Sequence, residues 1–202
     1  ISIGGKDIRD YSTKALMNTV AFVFQDTYIF AESVYDNIAM HQNVTQEAVE
    51  YAAKAARCHD FIQALPEGYH TKLGDGGHKL SGGEAQRIAI ARAILKNTPI
   101  VVLDEAMAFT DAENELALRE GMAELLKGKT VLMIAHRLYS IQDADMIIVL
   151  ENGRLKESGT HKDLLQKHGL YAHLWDIQNE TESWRMKGGA VHVSDNPAIH
   201  LP

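Results

Sequence analysis

The chain has 202 residues, 46% of them hydrophobic and 23% charged, which suits one globular domain, or two intimate lobes, with a sizeable core. Its 20 Lys+Arg against 27 Asp+Glu leave a formal charge of −7, which argues against a general nucleic-acid or anionic-membrane surface. A single cysteine, Cys58, excludes an internal disulfide and fits a reducing compartment.

No apolar run approaches the roughly 18–20 residues that a membrane-spanning helix needs, and no signal-peptide pattern is present. The chain opens on Ile1 with ISIGG reading as mid-strand, so the expectation is a piece of a longer polypeptide. VAFVF (20–24) predicts a strand that stops just before Gln25. From Thr45 to about Leu65 the texture is helical, with Thr45 as N-cap and Ala48, Val49, Ala52, Ala55 and Ala56 recurring at helical spacing. LPEGYHTKLGDGG (65–77) is rich in turn formers and reads as a loop. LSGGE (80–84) then opens a helix through QRIAIARAIL, which Asn97-Thr98-Pro99 ends.

Beyond Pro99 strands and helices alternate. IVVLDE (100–105) is a strand, ENELALREGMAELLKG a helix with Gly128 as its C-terminal cap, and KTVLMIAH a strand. A short RLYSIQDA helix follows, then MIIVLENG, whose Asn152-Gly153 predicts a hairpin returning through RLKES. THKDLLQKHG and LYAHLWDIQNE read as two closing helices, with Leu174 and Trp175 packing onto the core. The tail from Thr181 to Pro202 has no sustained period and is expected to be flexible. Continuous apolar strands alternating with helices predict an α/β fold whose sheet is covered on both faces.

Four positions carry chemistry. Asp104 and Glu105 close an apolar strand, and open α/β sheets bind ligands at that carboxyl edge. Adjacent side chains leave a strand on opposite sides, so one acid can hold Mg²⁺ through water and the other can polarise a water molecule. In LSGGE, Ser81 offers a hydroxyl, and Gly82 and Gly83 let backbone N–H groups approach an anion at a positive helix end. Glu84 favours that helix, although its acidity is wrong for direct phosphate contact. His136 follows VLMIA and Gln25 follows AFVF, each at a strand end. Alone, each has a bland structural reading: solvated acids, a helix cap, a structural histidine, a loop glutamine. Cys58-His59 has no second pair at metal-ligand spacing, and His161, His168 and His173 do not share one helix face, so a metal site at either place is not expected.

Together, Gln25, Leu80-Ser81-Gly82-Gly83-Glu84, Asp104-Glu105 and His136, in this order, resemble the nucleotide-binding domain of ATP-binding-cassette (ABC) proteins. The resemblance covers about 1–180 and implies a P-loop NTPase-like, mostly parallel sheet with an incomplete N-terminal β part and a helical subdomain over about 40–97. It implies that Gln25 lies in the Q-loop, LSGGE is the signature motif, IVVLDE is Walker B, Ala108-Phe109-Thr110-Asp111 is the D-loop and His136 is the switch histidine. In that family two such domains pack head to tail, and each ATP lies between the P-loop of one and the signature of the other. Glu105 is then the general base, Asp104 organises Mg²⁺, Gln25 and His136 sense the γ-phosphate and the metal-bound water, and Asp111 couples the two sites.

No G-x-x-x-x-G-K-[ST] loop occurs in the 202 residues. By family order it belongs before Ile1, so this stretch is expected to bind ATP poorly and not to hydrolyse it unaided. The D-loop reads AFTD where SALD is more usual, and the signature ends in Glu rather than Gln. VFQDTYIFAESVYDNI (23–38), LPEGYHTKLGDGG and GTHKDLL with LYAHLW resemble the exporter-type branch, in which a membrane domain precedes the cassette. AMAFTDAENE resembles the siderophore-linked members of it. The implied partners are a second nucleotide-binding domain and a transmembrane domain fused upstream, at the cytoplasmic face of a membrane and without nucleic acid. Competing readings are a separate ATPase subunit, a non-transport relative from DNA maintenance or translation, and a non-catalytic interaction module.

Overall fold

The computed structural model of the chain describes residues 1–104 and 112–186, with 112–115 and 181–186 described by their backbone alone. It divides into two compact units, Ile1–Ile134 and Ala135–Pro202.

The first unit begins with a small hairpin, β1 (Ser2–Ile3) and β2 (Lys6–Asp7), and a short helix α1 (Thr13–Met17) capped by the Ser12 hydroxyl. Strand β3 (Val20–Val23) follows, then three helices, α2 (Val34–Ala39), α3 (Gln46–Ala55) and α4 (His59–Ala64). Thr45 caps α3 as its residue type predicts, accepting from the Ala48 N–H. The helical texture expected through Leu65 is broken into α3 and α4. Arg57 takes a left-handed φ of 57°, which turns the chain and delivers Cys58 into the core. The 65–77 loop is not free either: Leu73 is fully buried, its N–H donates to Glu32 O, and Val34 N–H donates to Thr71 O.

The long helix α5 (Gly82–Lys96) ends at Asn97 in the left-handed conformation, just before Pro99. Strand β4 (Ile100–Asp104), helix α6 (Ala112–Leu126) and strand β5 (Thr130–Ile134) complete the unit. The three strands form one parallel sheet in the order β3-β4-β5, with Val23 opposite Leu103 and Leu103 opposite Met133. Parallel pairing of neighbours separated by helices is what the alternating pattern predicts.

The expectation of a sheet covered on both faces is only half met. On one face Ala21, Val23, Val101 and Leu103 are buried in a cluster with Ile88, Leu118 and Leu125 from the helices. On the other face Phe22 is 45% and Leu132 58% exposed, with Val102 half-buried between them, and Ile134 two residues on is 51% exposed. An apolar pattern tells which faces of a strand avoid water, but not what lies over them.

The second unit starts with a 3-10 turn over Leu138–Ile141 where an α-helix was expected. The Ser140 N–H and hydroxyl both donate to Arg137 O, the three-residue spacing of a 3-10 turn, and the Leu138 N–H at its start donates to Gln178. β6 (Ile147–Glu151) and β7 (Arg154–Gly159) pair antiparallel, and the turn between them has positive φ at both Asn152 and Gly153, the geometry an Asn-Gly pair favours. α7 (His161–Gln166) carries a Thr160/Asp163 capping box, and α8 (Leu170–Met186) follows it. Ile147, Val149, Leu164 and Tyr171 form the core here with Trp175 against it, whereas Leu174 stays exposed. Residues 187–202 of the expected tail lie outside the described residues.

Candidate functional site at the carboxyl edge of the sheet

Asp104 is the last residue of the central strand, one position past the Val23–Leu103 row. Gln25 stands two positions past the end of neighbouring β3. The parallel sheet therefore brings both to one carboxyl edge. Leu103 is buried on the covered face, so alternation directs half-buried Asp104 to the open one. Gln25 is exposed. A carboxylate and an amide oxygen are hard donors suited to Mg²⁺, which keeps several waters and needs only one or two protein ligands. No cluster of three or more His, Cys, Asp or Glu that could hold a metal ion occurs among the described residues. Glu105 and the 108–111 segment with Asp111 lie outside the described residues.

The signature turn is built by its own residues. Ser81 is the N-cap of α5, and Glu84 closes a reciprocal capping box. The Ser81 N–H and hydroxyl both donate to Glu84 Oε2, at 2.8 and 2.9 Å, while the Glu84 N–H donates back to Ser81 Oγ at 3.3 Å. Ser81 and Gly82 are exposed, Gly83 is buried, and Leu80 packs against the core. The turn fits an anion through its helix end, and an anion reaching for the Ser81 hydroxyl competes with the Glu84 carboxylate.

Helix α5 runs antiparallel to β3. Lys96 Nζ near its C-terminus donates to Val20 O at 2.8 Å, and Gln86 Nε2 near its start donates to Phe24 O at 3.2 Å. Ser81, five residues before Gln86, therefore projects about 7 Å farther along the helix axis than that contact. Between them, Arg92 reaches the loop after Gln25: its guanidinium donates to Tyr28 O at 2.8 Å, to Asn37 O and to Asn37 Oδ1, and lies over the Phe30 ring. Burial pushes the Arg92 pKa down to about 10, as removing a cation from water does. Sequence reasoning missed Gln86, Arg92 and Asn37. The only signal was the polarity of Arg92 within the apolar run 88–95; Gln86 and Asn37 stand beside the charged Arg87 and Asp36 and gave none.

His136 lies two residues past β5 and belongs to the second unit, where it is exposed. There Gln178 of α8 clasps the chain around it, its amide donating to His136 O at 2.6 Å while its oxygen accepts from Leu138 N–H at 2.8 Å. Gln178 too was invisible to pattern reasoning, because its partners lie 42 and 40 residues away.

A parallel sheet with an acid at the carboxyl edge of its central strand, and a long helix opening on SGG beside it, is the frame of a nucleotide-binding cassette. The chain belongs to the ABC transporter family, whose model matches residues 1–108. It is 48% identical over 178 residues to YgaD of Bacillus subtilis (strain 168), named as a multidrug export ATP-binding/permease protein; the match covers 88% of this chain and 31% of that protein. A Staphylococcus aureus protein of like name is 47% identical over 180 residues, covering 89% and 31%. Among solved structures, a bacterial Atm1-family ABC exporter with ATP bound superposes with a TM-score of 0.78 at 40% identity, over 95% of this chain and 32% of that one. The exporter-type resemblance read from 23–38 and the later stretches agrees with these relatives. The chain thus spans about a third of their length. No helix among the described residues is long and apolar enough to cross a membrane.

Proposed function

We propose that these residues are the ATP-hydrolysing part of an exporter, working as one of two cassettes that close head to tail around ATP. Asp104 organises Mg²⁺ through water, Glu105 takes the proton of the attacking water, and Gln25 and His136 sense the γ-phosphate and the metal-bound water. Leu80-Ser81-Gly82-Gly83-Glu84 meets the γ-phosphate of an ATP held mainly by the partner cassette, and Asp111 couples the two sites. Bound Mg²⁺ supplies charge neutralisation on the phosphates; the protein groups supply position and a dry, polar setting. A transmembrane domain in the same polypeptide, upstream, keeps the cassette at the cytoplasmic face of a membrane. The acidic balance of the chain gives nucleic acid no surface to hold.

The observation that carries this reading is the placement of Gln25 and Asp104 at one carboxyl edge, with the signature helix running past it. The 202 residues by themselves, without a G-x-x-x-x-G-K-[ST] loop, bind ATP weakly and turn none over. The test is phosphate release by the intact protein in vesicles and by the isolated 202 residues. Glu105→Gln is expected to abolish turnover in the intact protein while ATP still binds. Turnover that survives this substitution, or hydrolysis by the 202 residues alone, overturns the assignment.

A further inference from the structure

We propose that Gln86 is a positioning residue for Gln25, locking the Q-loop to the signature helix. The proposal rests on the reading that Gln25 works at the nucleotide. Gln86 is 1% exposed. Its amide donates to Phe24 O at 3.2 Å, and its oxygen accepts from the Thr27 hydroxyl at 2.6 Å. These two bonds end on either side of Gln25. Strand β3 stops at Val23, and no helix or strand resumes until α2 at Val34, so the chain around Gln25 is held by side chains rather than by a ladder. A buried primary amide left unpaired is costly, which makes Gln86 a firm anchor rather than a passing contact.

The geometry has a mechanical consequence. Gln86 sits in the second turn of α5, whose first turn is the Ser81–Glu84 cap. Gln25 and the signature turn are therefore fixed to one rigid helix start. A shift of the signature turn toward a partner's ATP is transmitted to Gln25 on the chain's own nucleotide, with Thr27 as the intermediate link. The effect of Gln86 on hydrolysis runs through Gln25, so removing both residues costs no more than removing Gln25.

The experiment is a double-mutant cycle on the intact protein, reading kcat, KM for ATP and the Mg²⁺ concentration at half-maximal rate. Gln86→Leu is expected to lower kcat about tenfold or more, as displacement of a catalytic group by an ångström does. It should also raise the Mg²⁺ requirement, with KM for ATP little changed. Thr27→Val should shift the same quantities less, and Thr27→Ser should restore them. Thr27→Val keeps the test decisive if Gln86→Leu does not fold. In the Gln25→Ala background, neither second substitution should slow turnover further. Losses that multiply in that background, or single variants with unaltered kcat and Mg²⁺ dependence, overturn the positioning role. If Gln25→Ala itself leaves turnover and Mg²⁺ dependence unchanged, the underlying reading of Gln25 falls instead.

Discussion

At Ser81, one hydroxyl serves two needs. It caps α5 and receives the first-turn N–H of Glu84, while its proton is held by the Glu84 carboxylate. The cap was legible in the sequence, since Ser followed three residues later by Glu is a local signature. That the same carboxylate takes the very hydroxyl offered to an anion was not, because it depends on side-chain geometry. Glu84→Gln keeps an acceptor oxygen but removes the charge. The folded state is expected to lose about 0.5 kcal/mol of helix-dipole stabilisation, seen in urea melts. ATP affinity of the intact protein should rise about fivefold in equilibrium binding, since a like charge near 4 Å in water opposes phosphate by roughly 1 kcal/mol. Unchanged affinity would show that Glu84 does not compete for Ser81.

Helix α5 shows what an element's sequence reveals. Its start, its Asn97-Thr98-Pro99 stop and its apolar interior follow from neighbours within a few residues. Thr45 at the head of α3, and the Asn152-Gly153 turn, are legible for the same reason. The break between α3 and α4 is not: Arg57 at positive φ is unfavourable locally and is held by the burial of Ala56 and Cys58 on either side of it. Burial also ranks substitutions. Ile88, fully buried on α5, is expected to cost about 2–5 kcal/mol when cut to Ala, by the cavity it leaves. Leu132, 58% exposed on the open sheet face, should cost no more than about 0.5 kcal/mol in the same 202-residue chain. Comparable losses in chemical denaturation would mean that the open face is covered in solution.

Across the whole first unit, Cys58 reports on the integrity of the core. Its side chain is fully buried, and burial pushes the thiol pKa from 9.0 up to about 12. The thiol is expected to resist a disulfide reagent at neutral pH until the unit unfolds, in step with loss of helix by circular dichroism. Reaction of the folded chain at the rate of a free thiol would contradict this. A raised folded pKa contributes fully below pH 9, where both states keep the proton, and the contribution is lost as pH rises from 9 toward 12. The melting temperature should therefore fall more steeply over that window than in Cys58→Ala. By itself the sequence determined most of the elements, though neither the α3–α4 break nor the 3-10 turn at Leu138–Ile141, and it determined the family, because caps, turns and strand periods act over a few residues and the motif order survives without coordinates. The α/β class and the strand ends bearing Gln25, Asp104 and His136 were within its reach for that reason. Only the tertiary structure decided that Gln86 holds Phe24 and Thr27, that Lys96 meets Val20, and that Phe22 and Leu132 are exposed among the described residues. Those partners stand 62, 59 and 76 residues apart, and only the folded arrangement of α5 against β3 brings them within reach of a hydrogen bond.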